Sequence, residues 1–171
     1  MKGTLIMICG LPGSGKTTLS KKLEKERNAF RFCPDKWINR LLKSPKDTEE
    51  RDRIRTPVEQ IQWEETQKLL DLGVTVILEN GFWPRKEREE YRKKANNWGV
   101  KVELHYVNAP MDIITERIHK RNQNLDHESM EVSLEELPTY HGWFEEPTDE
   151  EGQKYDVYVK YYTHQNIEIK C

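Results

Sequence analysis

The chain is poor in cysteine, has no long apolar run and shows almost no surplus of charge, and each shortage removes a class of function. Its three cysteines, Cys9, Cys33 and Cys171, form no even set and no C-x-x-C pair. Neither a disulfide framework nor a zinc site is supported, the thiols read as structural or incidental, and a reducing cytoplasm is the expected setting. No stretch approaches the roughly 18 apolar residues that a bilayer-spanning helix needs, so no membrane partner is expected. The apolar run after Met1 and Lys2 stops at Gly10 and Lys16, too soon for a signal peptide. No internal repeat is visible. N-K-x-D is absent, which disfavours a guanine-specific GTPase, and the chain is too short for a ring-forming ATPase with its extra helical domain.

What is present is a polar chain with small apolar islands. Hydrophobic residues make up 35% and charged residues 34% of 171 positions, so the apolar ones must gather in a few short buried strands flanked by polar helices. That length suits one domain covering residues 1–171. Nothing in it sets an oligomeric state. The net charge of -2 hides an asymmetry: Asp126 to Asp156 holds 11 acidic residues against one lysine, and the remainder carries +8.

The pattern alternates strands and helices. Leu5–Cys9 reads as a buried strand, Gly15–Arg27 as a helix with Leu19 and Leu23 inward, Phe30–Phe32 as a short strand, and Asp35–Leu42 as a helix. Lys43–Arg55 reads as a charged surface loop or substrate cover. Pro57 suits the first turn of a helix that runs to Leu72, turns Ile61, Leu69 and Leu72 inward and stops at Gly73. Val74–Leu78 and Val100–Val107 follow as strands, Pro84–Asn97 and Pro110–Asn122 as helices. Gln123–Ser133 lacks periodicity, Leu134–Phe144 reads as helical, and Tyr155–Tyr161 as a last strand. Such alternation predicts an α/β fold of three layers, with a mainly parallel central sheet and a site beyond the carboxyl ends of its strands.

At the first of those ends stands "GLPGSGKTT", Gly10 to Thr18, which fits G-x-x-x-x-G-K-[ST] between a strand and a helix. Glycine lets the backbone of Gly10, Pro12–Gly13–Ser14–Gly15, Lys16, Thr17 and Thr18 come close to phosphate and offer its N–H groups, Pro12 alone having none, and the helix beginning there adds its positive end. Lys16 would reach the β- and γ-phosphates, and the Thr17 hydroxyl would ligate Mg²⁺. ATP and Mg²⁺ are therefore the expected cofactors.

The segments "GLPGSGKTTL", "CPDKW", "LENGFWPRKERE", "VELHYVNAP", "ERIHKRN" and "WFEEPTDEE" follow in the order seen in one branch of the P-loop kinase-like group of AAA domains. The chain resembles that group, which is related to polynucleotide 5′-kinase, chloramphenicol phosphotransferase and the zeta-toxin kinases. The likeness spans roughly residues 4 to 152 and implies a P-loop kinase fold with a helical lid, here about residues 117–133. It implies that Asp35 is the carboxylate that takes the proton of the acceptor hydroxyl, although an aspartate there also suits a helix N-cap. It implies likewise that Arg117 and Arg121 neutralise charge on the transferred phosphoryl group; residues four apart share a helix face, and two cations near a helix end also favour the macrodipole.

Other candidates come from position. Glu79 ends the third strand, where it would hold Mg²⁺ or the acceptor; relatives commonly carry aspartate there. Arg40 would bind an acidic substrate group or lie on the surface. Trp83 would form a wall for substrate or cap the core, with Phe82 assigned to the core. His105 reads as a packed strand histidine, and Trp143–Phe144 as an anchor for the last helix. The expected activity is transfer of the γ-phosphate of ATP to a hydroxyl of a small molecule, with Lys16, Asp35, Arg117 and Arg121 catalytic. The alternatives are a polynucleotide 5′-hydroxyl kinase, disfavoured by the acidic segment, and a nucleotide-binding ATPase switch with no transfer substrate.

Overall fold

The computed structural model describes residues 1–42, 48–125 and 129–170. Six strands form one sheet: β1 (Thr4–Cys9), β2 (Phe30–Phe32), β3 (Val76–Gly81), β4 (Lys101–Asn108), β5 (Val157–Tyr162) and β6 (Ile167–Lys170). Their order is β2-β3-β1-β4-β5-β6. All neighbours are parallel except β5 and β6, which pair antiparallel. From β1 the chain crosses to the edge strand β2 and returns through β3 beside β1, whereas β4 lies on the other side of β1, so β1 marks the point where the winding reverses and a crevice opens.

Alternation within β1 explains its continuous apolar run. Leu5, Met7 and Cys9 enter one core with Leu70 and Ala95, while Ile6 and Ile8 enter another with Leu19 and Leu23. A strand covered by helices on both faces has no side left for water. The covering helices are α1 (Lys16–Glu26) on one face, and α3 (Thr48–Asp71) and α4 (Arg85–Asn97) on the other. Helix α2 (Pro34–Leu41) packs on α3 through Ile38 and Val58, and α5 (Met111–Gln123) supplies Ile114 and Ile118 to a further apolar cluster. A 3-10 turn at Leu134–Glu136 leads into α6 (Leu137–Trp143), and α7 (Asp149–Gly152) precedes β5.

Several expectations need correction. Residues 48–55 are helical and not loop, because α3 begins at Thr48; Pro57 therefore sits inside a helix of 24 residues and does not open it. The glutamates and arginines of TEERDRIR favour helix strongly enough to extend it upstream of proline. Residues 43–47 of the expected loop lie outside the described residues. Ile61 and Leu72 are exposed, at 48% and 77%, and the buried stripe is Val58, Gln62, Thr66 and Leu70. Gly73 does stop the helix: at φ 82° it lets Val74 N–H reach back to the Leu69 carbonyl at 3.0 Å. Strand β6 was not expected, since IEIK is short and exposed throughout.

Among the described residues no helix is long and apolar enough to cross a membrane. The acidic segment does not act as one block. Glu151 turns inward to a buried bidentate pair with Arg88, at 2.6 and 2.8 Å, which ties α7 to α4. Residues 126–128 of that segment lie outside the described residues.

Candidate functional site

The loop between β1 and α1 turns where glycine is required. Gly15 takes φ 110° and ψ 13° as the residue before α1, a left-handed conformation that L side chains rarely adopt. A Cβ on Gly10 would lie 2.4 Å from the Val107 carbonyl oxygen, so the loop could not lie this close to β4 with any side chain there. The first amides of α1 have no intrahelical partner and point into the loop's concavity. The Ser14 hydroxyl is buried beneath the loop, on the side of Gly10, without a hydrogen-bond partner. Loop amides, a helix start and a lysine together fit a phosphate chain.

Lys16 folds back, its Nζ donating to the Leu11 carbonyl at 2.8 Å. Burial outweighs the nearby Glu79 and Asp35 carboxylates and holds its ammonium below the usual lysine range. Thr17 donates to one oxygen of Glu79. The other Glu79 oxygen accepts from Ser20 Oγ at 2.6 Å and from Arg31 Nη1 at 2.8 Å. Arg31, at 5% side-chain exposure, also reaches Glu24 at 3.3 Å, so a buried guanidinium on β2 fixes Glu79. Thr17 and Glu79 lie together at the phosphate loop, which is the donor pair a nucleotide-bound Mg²⁺ would meet. The mid-strand charge in Phe30–Arg31–Phe32 was the sequence signal for Arg31, since a cation in a buried strand needs a partner.

The loop forms one end of a cleft of about 1270 Å³. That exceeds the few hundred to roughly 1,000 Å³ of an ordinary single-ligand pocket and leaves room for two ligands. Pro12, Gly13, Gly15, Lys16, Thr17, Thr18, Asp35, Glu79, Trp83, Arg117 and Arg121 all line it. Gly10 and Ser14 are buried beneath the loop, and Arg40 is exposed on the last turn of α2, away from the cleft lining. The orientation of α2 therefore removes Arg40 from the candidate substrate contacts.

The two arginines of α5 are held differently. Arg117 donates to Thr163 Oγ1 at 2.8 Å and to the Ser14 carbonyl at 3.2 Å, so it braces the back of the loop against the β5–β6 turn. Arg121 donates to the Met130 carbonyl at 3.0 Å and is near enough to Lys16 to act on its charge. The chain beyond α5 folds back over this helix, with Asn122 Nδ2 bonding the Val132 carbonyl at 2.7 Å and Asn39 Nδ2 the Ser129 carbonyl at 3.0 Å.

Asp35 is the second residue of α2, whose N-cap is Cys33, and its side chain does not cap the helix. It accepts from Arg55 Nη2 at 2.9 Å instead, and Arg55 also reaches Glu59 at 3.3 Å. Beyond Asp35 the cleft is walled by Asp52, Glu59, Glu87 and Glu136, with Arg51 and Arg55 the cations among the described residues. Burial pushes the Glu87 carboxyl up to about 7, helped by Glu59 and opposed by Arg88. Burial also raises Glu59, against the pull of Arg55. Arg55, Glu59 and Glu87 were not foreseen; they lie on helices whose alternating charges resemble a solvated face, and nothing in their spacing shows that they meet.

At the end of β3 the chain splits two aromatics. Phe82 takes φ 47°, a left-handed conformation for a bulky side chain, and is buried in the core. Trp83 is thereby turned to the cleft, its Nε1 donating to the Gly10 carbonyl at 3.2 Å and its ring 5.3 Å from Tyr140. Trp143 and Phe144 also divide: Phe144 packs on Tyr106, while Trp143 is exposed at the cleft mouth, its ring 6.0 Å from Tyr140 of the same helix. His105 is buried, bonded to Tyr161 at 2.9 Å and Glu103 at 3.0 Å, as a packed strand histidine should be. Cys9 and Cys33 are buried thiols.

No curated protein matches the chain. Among solved structures it is similar to a candidate kinase of Chloroflexus aurantiacus, with a TM-score of 0.74 at 18% identity over 98% of this chain and 92% of that one. It is also similar to Kti12 of Chaetomium thermophilum, solved with ADP-AlF3, with a TM-score of 0.68 at 16% identity over 93% and 89%. A sugar kinase of Janibacter gives 0.62 at 20% identity over 92% and 85%. These likenesses show the fold. The AAA domain family model matches residues 5–147, so the phosphate loop, the α2 carboxylate and the arginine pair all fall inside it, and the chain belongs to that family as a P-loop kinase-like member.

Proposed function

We propose that the chain is an ATP-dependent phosphotransferase that moves the γ-phosphoryl group to a hydroxyl of a small molecule. The observation that carries this reading is the meeting of Asp35 and Lys16 in a cleft with room for a second ligand beyond the phosphate loop. A pure nucleotide switch has no use for that second space.

The loop amides and Lys16 hold the phosphates, and Thr17 with Glu79 would hold Mg²⁺, which when bound supplies charge neutralisation between the β- and γ-phosphates. Asp35 orients the acceptor hydroxyl and takes its proton. Arg55 aims the Asp35 carboxylate through its 2.9 Å hydrogen bond. Arg121 meets charge on the moving phosphoryl group, and Arg117 keeps the loop in shape. Most of the acceleration is alignment and preorganised charge, with the base adding roughly 10² to 10⁴-fold.

The test is transfer of labelled γ-phosphate to a panel of small hydroxylated compounds and to 5′-hydroxyl oligonucleotides. The expected result is a labelled small-molecule monoester formed faster than ATP is hydrolysed in its absence. Labelled oligonucleotide as the best product would establish the polynucleotide kinase. Slow hydrolysis unaffected by every compound would establish the switch.

A further inference from the structure

The two ends of the cleft carry opposite charge. Lys16, Lys21, Lys22, Arg117 and Arg121 lie on the nucleotide side, as phosphate demands. On the far side the guanidiniums are already engaged: Arg55 by Asp35 and Glu59, Arg51 by Asp52 at 3.2 Å. Glu87 faces Glu59 and Arg55 from α3 and has Arg88 and Glu90 as neighbours on α4. Arg88 is committed elsewhere, to Glu151 and to the Phe82 and Trp83 carbonyls at 3.0 and 2.8 Å. Negative charge is thus in surplus on this side, inside a cavity that the phosphate loop and the Trp83–Tyr140 pair define without reference to the carboxylates. Asn80, at the same cleft, carries a buried side-chain oxygen with no hydrogen-bond partner.

Resting on the phosphotransferase reading, we propose that the acceptor is a hydroxylated amine, its ammonium held by Glu87 and Glu59 beside Trp83 and Tyr140 and its hydroxyl presented to Asp35. An ammonium offers hydrogen-bond donors only, and this wall offers carboxylate oxygens and aromatic faces, its two guanidiniums, Arg51 and Arg55, being already paired with carboxylates. A phosphorylated sugar or a polynucleotide would place its anions among surplus carboxylates, which is a specificity by repulsion. In the transfer the hydroxyl proton passes to Asp35, and the acceptor oxygen bonds to the γ-phosphorus. The bond from that phosphorus to the β–γ bridging oxygen breaks, and ADP leaves with its electron pair. Asp35 later releases the proton to solvent, and the amine is unchanged.

Two matched series test this: glucosamine, glucose and glucuronate, and 3-amino-1,2-propanediol, glycerol and glycerate. Binding to the ADP-loaded protein is measured by calorimetry, and transfer by labelled γ-phosphate. In at least one series the amine should bind about tenfold or more tightly than its neutral partner, with the acid weakest. Glu87→Gln should raise KM for the amine about tenfold and leave KM for the neutral compound within twofold; Glu59→Gln, which also loosens Arg55 beside Asp35, should raise KM for the amine more than KM for the neutral compound, with folding checked by thermal melts. Amine affinity should also fall as pH drops below about 7, where Glu87 becomes neutral, and in Glu87→Gln that fall should shrink to the part that Glu59, also raised by burial, contributes at lower pH. Indifference to charge in both series, preference for an acid, or no binding of either amine overturns the proposal. Labelled transfer to neutral compounds as efficient as to amines overturns it while the phosphotransferase stands. Amine-selective binding with no labelled product supports the cation subsite and removes the phosphotransferase reading.

Discussion

The two halves of the cleft are made by different means. The phosphate half is a single stretch of backbone, Gly10 to Thr18, whose amides and one lysine do the binding. The half proposed for the acceptor is made of side chains from α2, α3, α4 and α6, which lie far apart in sequence. The first half answers to a ligand common to many enzymes, and the second is free to differ from one family member to the next. Backbone recognition survives most substitutions, and side-chain recognition changes with one.

The sharpest way to break that comparison is at its lysine. Lys16→Ala should lower kcat by about 10³-fold with the thermal midpoint unchanged, because Lys16 meets phosphate and packs no core; ADP release and a melting curve check it. Undiminished turnover in the folded variant would move the chemistry elsewhere. Asp35→Asn should lower kcat by about 10²-fold with nucleotide affinity nearly constant, since only the acceptor side loses a group. Equal losses in kcat and ATP binding would show that the two halves are not separable. Next, Arg121→Ala should reduce kcat by about tenfold, and Arg117→Ala should act mainly on ATP affinity, because one arginine lies near Lys16 and the other braces Gly13 and Ser14. Single-turnover kinetics with separately measured Kd resolve the two.

The smallest effect concerns Glu87. Its folded carboxyl titrates near 7, above the 4.5 of an unperturbed glutamate, so folding favours the protonated form. The neutral acid gives full stability below about 4.5, and stability is lost as pH rises through about 7. Glu87→Gln, which stays neutral, should therefore be more stable than the natural protein at pH 8, by on the order of 1 to 3 kcal/mol, and equal to it at pH 4.5. Denaturant melts at both values check the sign.

The same division governs how much could be read in advance. The phosphate loop was legible because its meaning lies in contiguous spacing, and the parallel sheet because doubly covered strands leave continuous apolar runs such as Leu5–Cys9. Asp35 was legible through family likeness, and its partner Arg55 was not, because it sat in what looked like a charged loop. That error followed from Pro57, which so often opens helices that the two turns before it were discounted. Glu87 was hidden in PRKEREE, where alternating signs suggest solvent. Arg40 stands five residues after Asp35, about 140° round the helix axis, and so points away from the cleft that Asp35 lines. Phe82 and Trp83 went to different places only because the backbone reverses hand between them.

Pro57 has a mechanical consequence. It has no amide hydrogen, so the Arg53 carbonyl four residues earlier loses its helical partner, and one rung of α3 is missing at that level. A rod with a missing rung bends there before it bends anywhere else. Below the gap α3 is held to the sheet through Leu70 and to α2 through Val58, and above it are the turns that carry Arg51, Asp52 and Arg55. Those turns therefore stand on a helix with one bond fewer at their base, apart from the backbone that forms the phosphate loop.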